Sequence, residues 1–101
     1  MEDNIQNTGD LEIHKFKLFV SGMSVKSGNA IGNLRKICDK YLAGCHDLEI
    51  IDISRDKEKA VAYQIVAIPT LIRTSPAPRR IILGDLSDTE KVLKILNIEA
   101  E

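Results

Sequence analysis

Any chemistry in this chain of 101 residues would rest on two cysteines, two histidines and scattered acids and arginines. Cys38 and Cys45 match neither the Cys-x-x-Cys spacing of a redox pair nor a zinc-ligand pattern. Cys38 falls on the apolar stripe of a helix, which predicts a buried, inert thiol. Cys45 follows Gly44 in a loop beside His46, and that pair is too few ligands for zinc. A Cys38–Cys45 disulfide is not expected in a reducing compartment. His14 opens a strand. Asp52 at a strand end and Asp85 in a turn form no recognisable acid pair. Arg73, Arg79 and Arg80 cluster beside a proline-rich turn and could meet a phosphate, but on a near-neutral domain they read as a solvated face. No catalytic group, metal or cofactor is predicted.

The elements that position these residues follow from periodicity. In Lys15 to Val20, Phe16, Leu18 and Val20 share one face and Lys15, Lys17 and Phe19 the other, the alternation of a strand. Ser21-Gly22-Met23-Ser24 is a loop. Ala30, Ile31, Leu34, Ile37, Cys38, Tyr41 and Leu42 then recur at helical steps, with Asn33, Arg35, Lys36, Asp39 and Lys40 opposite. Ser24 or Ser27 can cap this helix, and Gly44 can end it in the left-handed conformation. Leu48, Ile50, Ile51 and Ile53 are too continuous for a half-exposed strand and predict one inside a sheet. A short helix starts at Ser54 to Asp56 and runs through Ile65, ended by Pro69. Strands follow at Thr70 to Thr74 and Arg80 to Leu83, joined by the turn Ser75-Pro76-Ala77-Pro78. Gly84-Asp85 closes the second of these. Ser87 and Glu90 have capping-box spacing ahead of Val92, Leu93, Ile95 and Leu96.

The size is that of one domain with an unaided core. With four aromatic residues and no Trp, that core must be aliphatic. A net charge of −1 gives no general drive toward nucleic acid or anionic membrane. No apolar run is long enough to span a bilayer. Residues 1–12 read as a disordered polar tail without signal-peptide character, 13–98 as the folded domain and 99–101 as a short tail, which places the protein in the cytoplasm.

The order strand, helix, strand, helix, strand, strand, helix is thioredoxin-like, an α/β single domain of βαβαββα topology. The step Ile68-Pro69-Thr70 fits it, since such domains enter their third strand through a cis proline. An ordinary trans proline ending a helix is the alternative, because only about 5–6% of X-Pro bonds are cis. Pro69-Thr70-Leu71, Pro76-x-Pro78, Arg79-Arg80-Ile81-Ile82, Gly84-Asp85-Leu86-Ser87 and Glu90-Lys91-Val92-Leu93 together resemble the KaiB family. The likeness extends back through Lys17-Leu18-Phe19-Val20-Ser21-Gly22 and Ile50-Ile51-Asp52-Ile53, covering about Phe16 to Leu96.

This resemblance implies a protein without chemistry of its own. It would bind the ring ATPase KaiC, and in the clock help sequester KaiA. It also implies two folds: a tetrameric resting form of βαββααβ order and a monomeric thioredoxin-like form that binds KaiC. Pro76 and Pro78 fit a turn better than a helix interior, where each costs about 3 kcal/mol. Where switching members carry Gly and Asp near the end of the last helix, this chain has Ile95 and Asn97. His14 replaces the family's tyrosine ahead of the first strand. With Pro69, Gly84 and Asp85, these mark the fold-switch positions, and they predict that the thioredoxin-like form dominates.

The partner-binding positions implied by the family are Lys17, Asn29, Asp47 and Glu49. Asn29 replaces an Arg, and Asp47 and Glu49 replace a small residue and a Lys near the KaiA contact, which predicts weak KaiA binding. Partners are then a KaiC-like ATPase, with KaiA or a competitor bearing a KaiB-like domain. Solvated edge charge that discourages aggregation is the plainer reading of the two acids. A thiol oxidoreductase is the alternative suggested by the fold. It would need a cysteine within Met23-Ser24-Val25-Lys26-Ser27, and there is none. A histidine-kinase sensor domain would precede a kinase in the same chain, whereas this sequence ends at Glu101. A thioredoxin-like stress protein with no clock role is the remaining alternative.

Overall fold

The computed structural model describes residues 12–22 and 24–98. Its elements are β1 (His14–Val20), α1 (Val25–Tyr41), β2 (His46–Asp52), α2 (Lys57–Ala62), β3 (Thr70–Ser75), β4 (Arg80–Leu83) and α3 (Thr89–Leu96). One sheet holds all four strands in the order β2-β1-β3-β4. β1 and β2 are parallel, as a helical crossover requires, and the other two pairings are antiparallel. The tails expected at 1–12 and 99–101, apart from exposed Glu12, and Met23 of the first loop lie outside the described residues.

Alternation along β1 decides which helix covers which face. Phe16, Leu18 and Val20 join Ala30, Leu34, Ile37 and Cys38 of α1, Leu71, Ile82, and Val92, Leu93 and Leu96 of α3 in the main core. Phe19 points the other way, into a smaller cluster with Ile51 and Ile72 under Ile53, Tyr63, Ile65 and Ile68. Ser24 caps α1 by accepting from the Ser27 N–H at 3.1 Å. Ser27 instead turns inward and accepts the Ser21 N–H at 3.0 Å. Gly44 takes φ +74° as the chain leaves α1.

Four expectations are corrected. β2 is an edge strand, not an inner one. Its apolar run is continuous because α1 and the segment around Tyr63–Ile68 cover both its faces, not because a strand lies beyond it. Helix α2 ends at Ala62, short of Ile65. Gln64 turns left-handed (φ 55°) and stops it, and an irregular segment carries the chain to Pro69. The Ser87/Glu90 box does not form. Asp88 is the N-cap, accepting from the Lys91 N–H at 3.2 Å, while Ser87 is held outside the helix by its own N–H to Asp85 Oδ1 at 3.1 Å. Arg73 is not solvated but 3% exposed, on the core face of β3. The Ile68–Pro69 peptide is cis, as are Ser75–Pro76 and Ala77–Pro78.

Candidate functional site

Backbone geometry at the outer edge of β2 follows from two hydrogen bonds. The His14 N–H donates to the Cys45 carbonyl, and the Ile53 N–H donates to the Val20 carbonyl, both at 2.9 Å. In a parallel ladder alternate residues turn their polar groups to the same neighbour. Stepping by two from Cys45 to Ile53, residues Asp47, Glu49 and Ile51 face β1. Leu48 and Ile50 therefore direct their N–H and C=O outward, where no strand of the sheet follows.

The side chains beside this edge carry its charge. Register puts Lys15 against Asp47 and Lys17 against Glu49. Glu49 is bridged twice, by Lys17 Nζ at 2.6 Å and by Lys59 Nζ of α2 at 2.8 Å. Hydrogen bonds from Lys17 and then Lys59 hold its carboxyl at about 2, against an ordinary 4.5. Asp47 is exposed and has no ion-pair partner among the described residues. Of the two acids, only Asp47 thus presents bare negative charge.

A titration test follows. Because the folded value of Glu49 lies below its unfolded one, its contribution is fully present above pH 4.5 and is lost as pH falls toward 2. Solvent screening keeps that contribution small, since the side chain is 44% exposed. Carboxyl NMR should give a Glu49 midpoint near 2, returning toward 4.5 in a Lys17→Ala, Lys59→Ala double variant. A wild-type midpoint near 4.5 would show that the bridges do not persist in solution.

The other positions singled out fall in three further places. Asn29 is exposed on α1, whereas Lys17, Asp47 and Glu49 lie on β1 and β2. Pro69, Gly84 and Asp85 meet where the Gly84 N–H donates to the Pro69 carbonyl (3.0 Å) and Asn33 Nδ2 donates to the Asp85 carbonyl (2.8 Å). Gly84 needs its freedom there, at φ 107°. Ser87, through its side chain and its N–H, lowers the Asp85 carboxyl. His14 and Asn97 line one pocket with Arg73, and Ile95 is half-buried against the main core. Asn97 adopts the left-handed conformation (φ 57°) after α3, which Asn tolerates better than most residues.

Sequence reasoning missed Arg73, Asn33 and Lys59 as organising residues. Arg73 Nη1 donates to the Leu96 carbonyl at 2.6 Å and Nη2 to the Pro78 carbonyl at 3.0 Å, tying the end of α3 to the β3–β4 hairpin. The signal was available: Leu71 and Arg73 share a strand face, and Leu71 is core. Burial, and then Arg80, pulls the Arg73 guanidinium below the usual arginine range. Burial, and then Arg73, lowers His14 below 6.5. Among the described residues neither Cys38 nor Cys45 is in a disulfide, and neither lies at the start of α1. Burial raises Cys38 to about 11, so it is a poor nucleophile. No metal-holding group of His, Cys, Asp and Glu occurs among the described residues, and no helix among them is long and apolar enough to cross a membrane.

Comparison with known proteins agrees with this geometry. The KaiB domain family matches residues 17–98. The circadian clock protein KaiB3 of Synechocystis is 41% identical over 85 residues, 84% of this chain and 83% of that protein. A circadian clock oscillator protein KaiB of Prochlorococcus marinus is 42% identical over 77 residues, covering 76% and 73%. The solution structure of the N-terminal domain of Synechococcus elongatus SasA shares the fold (TM-score 0.69, 21% identity, 85% of each chain). So does Fasciola hepatica thioredoxin (TM-score 0.68, 12% identity, 95% and 90%).

Proposed function

This chain belongs to the KaiB family, whose members are clock regulators rather than enzymes, and we propose that it is a binding module docking on a KaiC-type ring ATPase. The observation that carries this reading is the open edge of β2, with the backbone of Leu48 and Ile50 turned outward. An edge of this kind gives affinity through main-chain hydrogen bonds and selectivity through the side chains beside it. Lys17, Asp47 and Glu49 are the contacts assigned to it, and Asn29 on α1 a separate one. The functional unit spans residues 13–98, acts in the cytoplasm and is monomeric in the thioredoxin-like form. His14, Pro69, Gly84, Asp85, Ile95 and Asn97 tune its exchange with a tetrameric resting form.

KaiA binding is the weaker part of the pattern. The Lys17 and Lys59 bridges neutralise Glu49. Asp47 still repels an acidic partner and costs affinity with any partner that expects a small residue. Native mass spectrometry of the purified protein with a KaiC-type hexamer and ATP should give a complex to which added KaiA contributes little. Absence of any KaiC-type complex would refute the docking assignment, and tight KaiA capture would refute the role given to Asp47.

A further inference from the structure

Beside the end of α3 lies a pocket of about 180 Å³ lined by His14, Arg73, Arg80, Asn97 and, at its exposed rim, Glu12. Pockets that enclose drug-sized ligands run to about 300–1,000 Å³, so this one suits an ion rather than a nucleotide. Arg73 is almost wholly buried here, with no carboxylate paired to it among the described residues. Its two terminal nitrogens are spent on carbonyls, but its Nε–H has no partner. His14 Nδ1, on the neighbouring strand, is buried and equally unpartnered. Orphaned buried polar atoms are uncommon in folded proteins, and two on residues that line one pocket point to a missing acceptor.

We propose that this pocket binds a phosphate-sized oxyanion, held by Arg73 Nε–H and His14 Nδ1–H with the Arg80 guanidinium closing over it. Two guanidinium groups against one carboxylate, Glu12, leave the site net positive, and the turn Pro76–Pro78 forms one of its walls. A phosphoryl group can come from free phosphate or from a phosphorylated segment of a partner, and the chemistry is shared. Because Arg73 also holds the Leu96 carbonyl, an anion here binds only the arrangement in which α3 is docked and stabilises it by mass action.

The test is an NMR titration at constant ionic strength with inorganic phosphate, and in parallel with a neutral peptide bearing one phosphoserine. Saturable shifts confined to Arg73 Nε–H, His14 and Asn97 are expected. Arg80→Gln, an exposed change that leaves the fold alone, should weaken binding about tenfold. Glu12→Gln should tighten it. Tighter binding of the free ion identifies a free phosphate as ligand, and tighter binding of the peptide identifies a phosphorylated partner. Shifts that rise linearly and are matched by chloride, or affinity unchanged in Arg80→Gln, overturn the proposal.

Discussion

Replacing Arg73 with alanine is expected to lower the unfolding free energy by about 3–5 kcal/mol, with the end of α3 released first. The side chain makes two charge-assisted bonds, at 2.6 and 3.0 Å, to carbonyls of Leu96 and Pro78. Such bonds contribute about 1.5–3 kcal/mol each. The charge is tolerable without an acid because it sits against the last turn of α3, where the helix dipole is negative. Domains of this kind have only about 5–15 kcal/mol in all, so the loss is a large share. Urea unfolding measures the total, and amide exchange at Asn97 and Ile98 reports where it starts. Arg73→Lys should recover only part of it, because one ammonium lacks the fork that reaches both carbonyls. A loss under about 1 kcal/mol in the alanine variant would mean that the two bonds contribute no more than a surface pair.

Arg73 also shows where reading the chain stops. Its neighbours Arg79 and Arg80 are exposed, and three nearby arginines suggest a solvated cluster. Only the β3 face assignment, shared with Leu71, reveals that one of the three is inside. The order of elements was legible because each pattern is local: alternation in β1, the Ala30–Leu42 stripe in α1, the proline at 69. The rank of β2 in the sheet was not, since an apolar run records how well its faces are covered and not what lies at its edge. The cap of α3 differs for a similar reason. Ser87 and Glu90 have the right spacing, but Asp85 captures the Ser87 N–H and hands the cap to Asp88. Among the proposed binding positions, register makes Lys17, Asp47 and Glu49 neighbours. That Lys59 would bridge to Glu49 from α2 depends on packing that no spacing in the sequence encodes.

Exchanging Ile95 for glycine is expected to move the balance between the two proposed forms by about thirtyfold toward the resting one. Ile95 is half-buried against the main core, in the last full turn of α3. Its removal forfeits part of an isoleucine's burial and places glycine in a helix, where it costs up to about 1 kcal/mol relative to Ala. Together these amount to about 2 kcal/mol, half the loss of a fully buried Ile→Ala. Two packings of one sequence that differ by a few kcal/mol are sensitive to a change of that size. Adding Asn97→Asp carries the helix end closer to the family pattern while keeping a residue that tolerates φ 57°. The wild type should give a single set of backbone resonances with Thr89–Leu96 helical and a monomeric mass. The glycine variant should show a second set, with strand shifts in this segment, together with a tetramer. A variant that merely unfolds at lower urea, with no second species at any concentration, would show that position 95 stabilises α3 without selecting between folds. The proposal that this chain is held in the thioredoxin-like form by Ile95 would then fail.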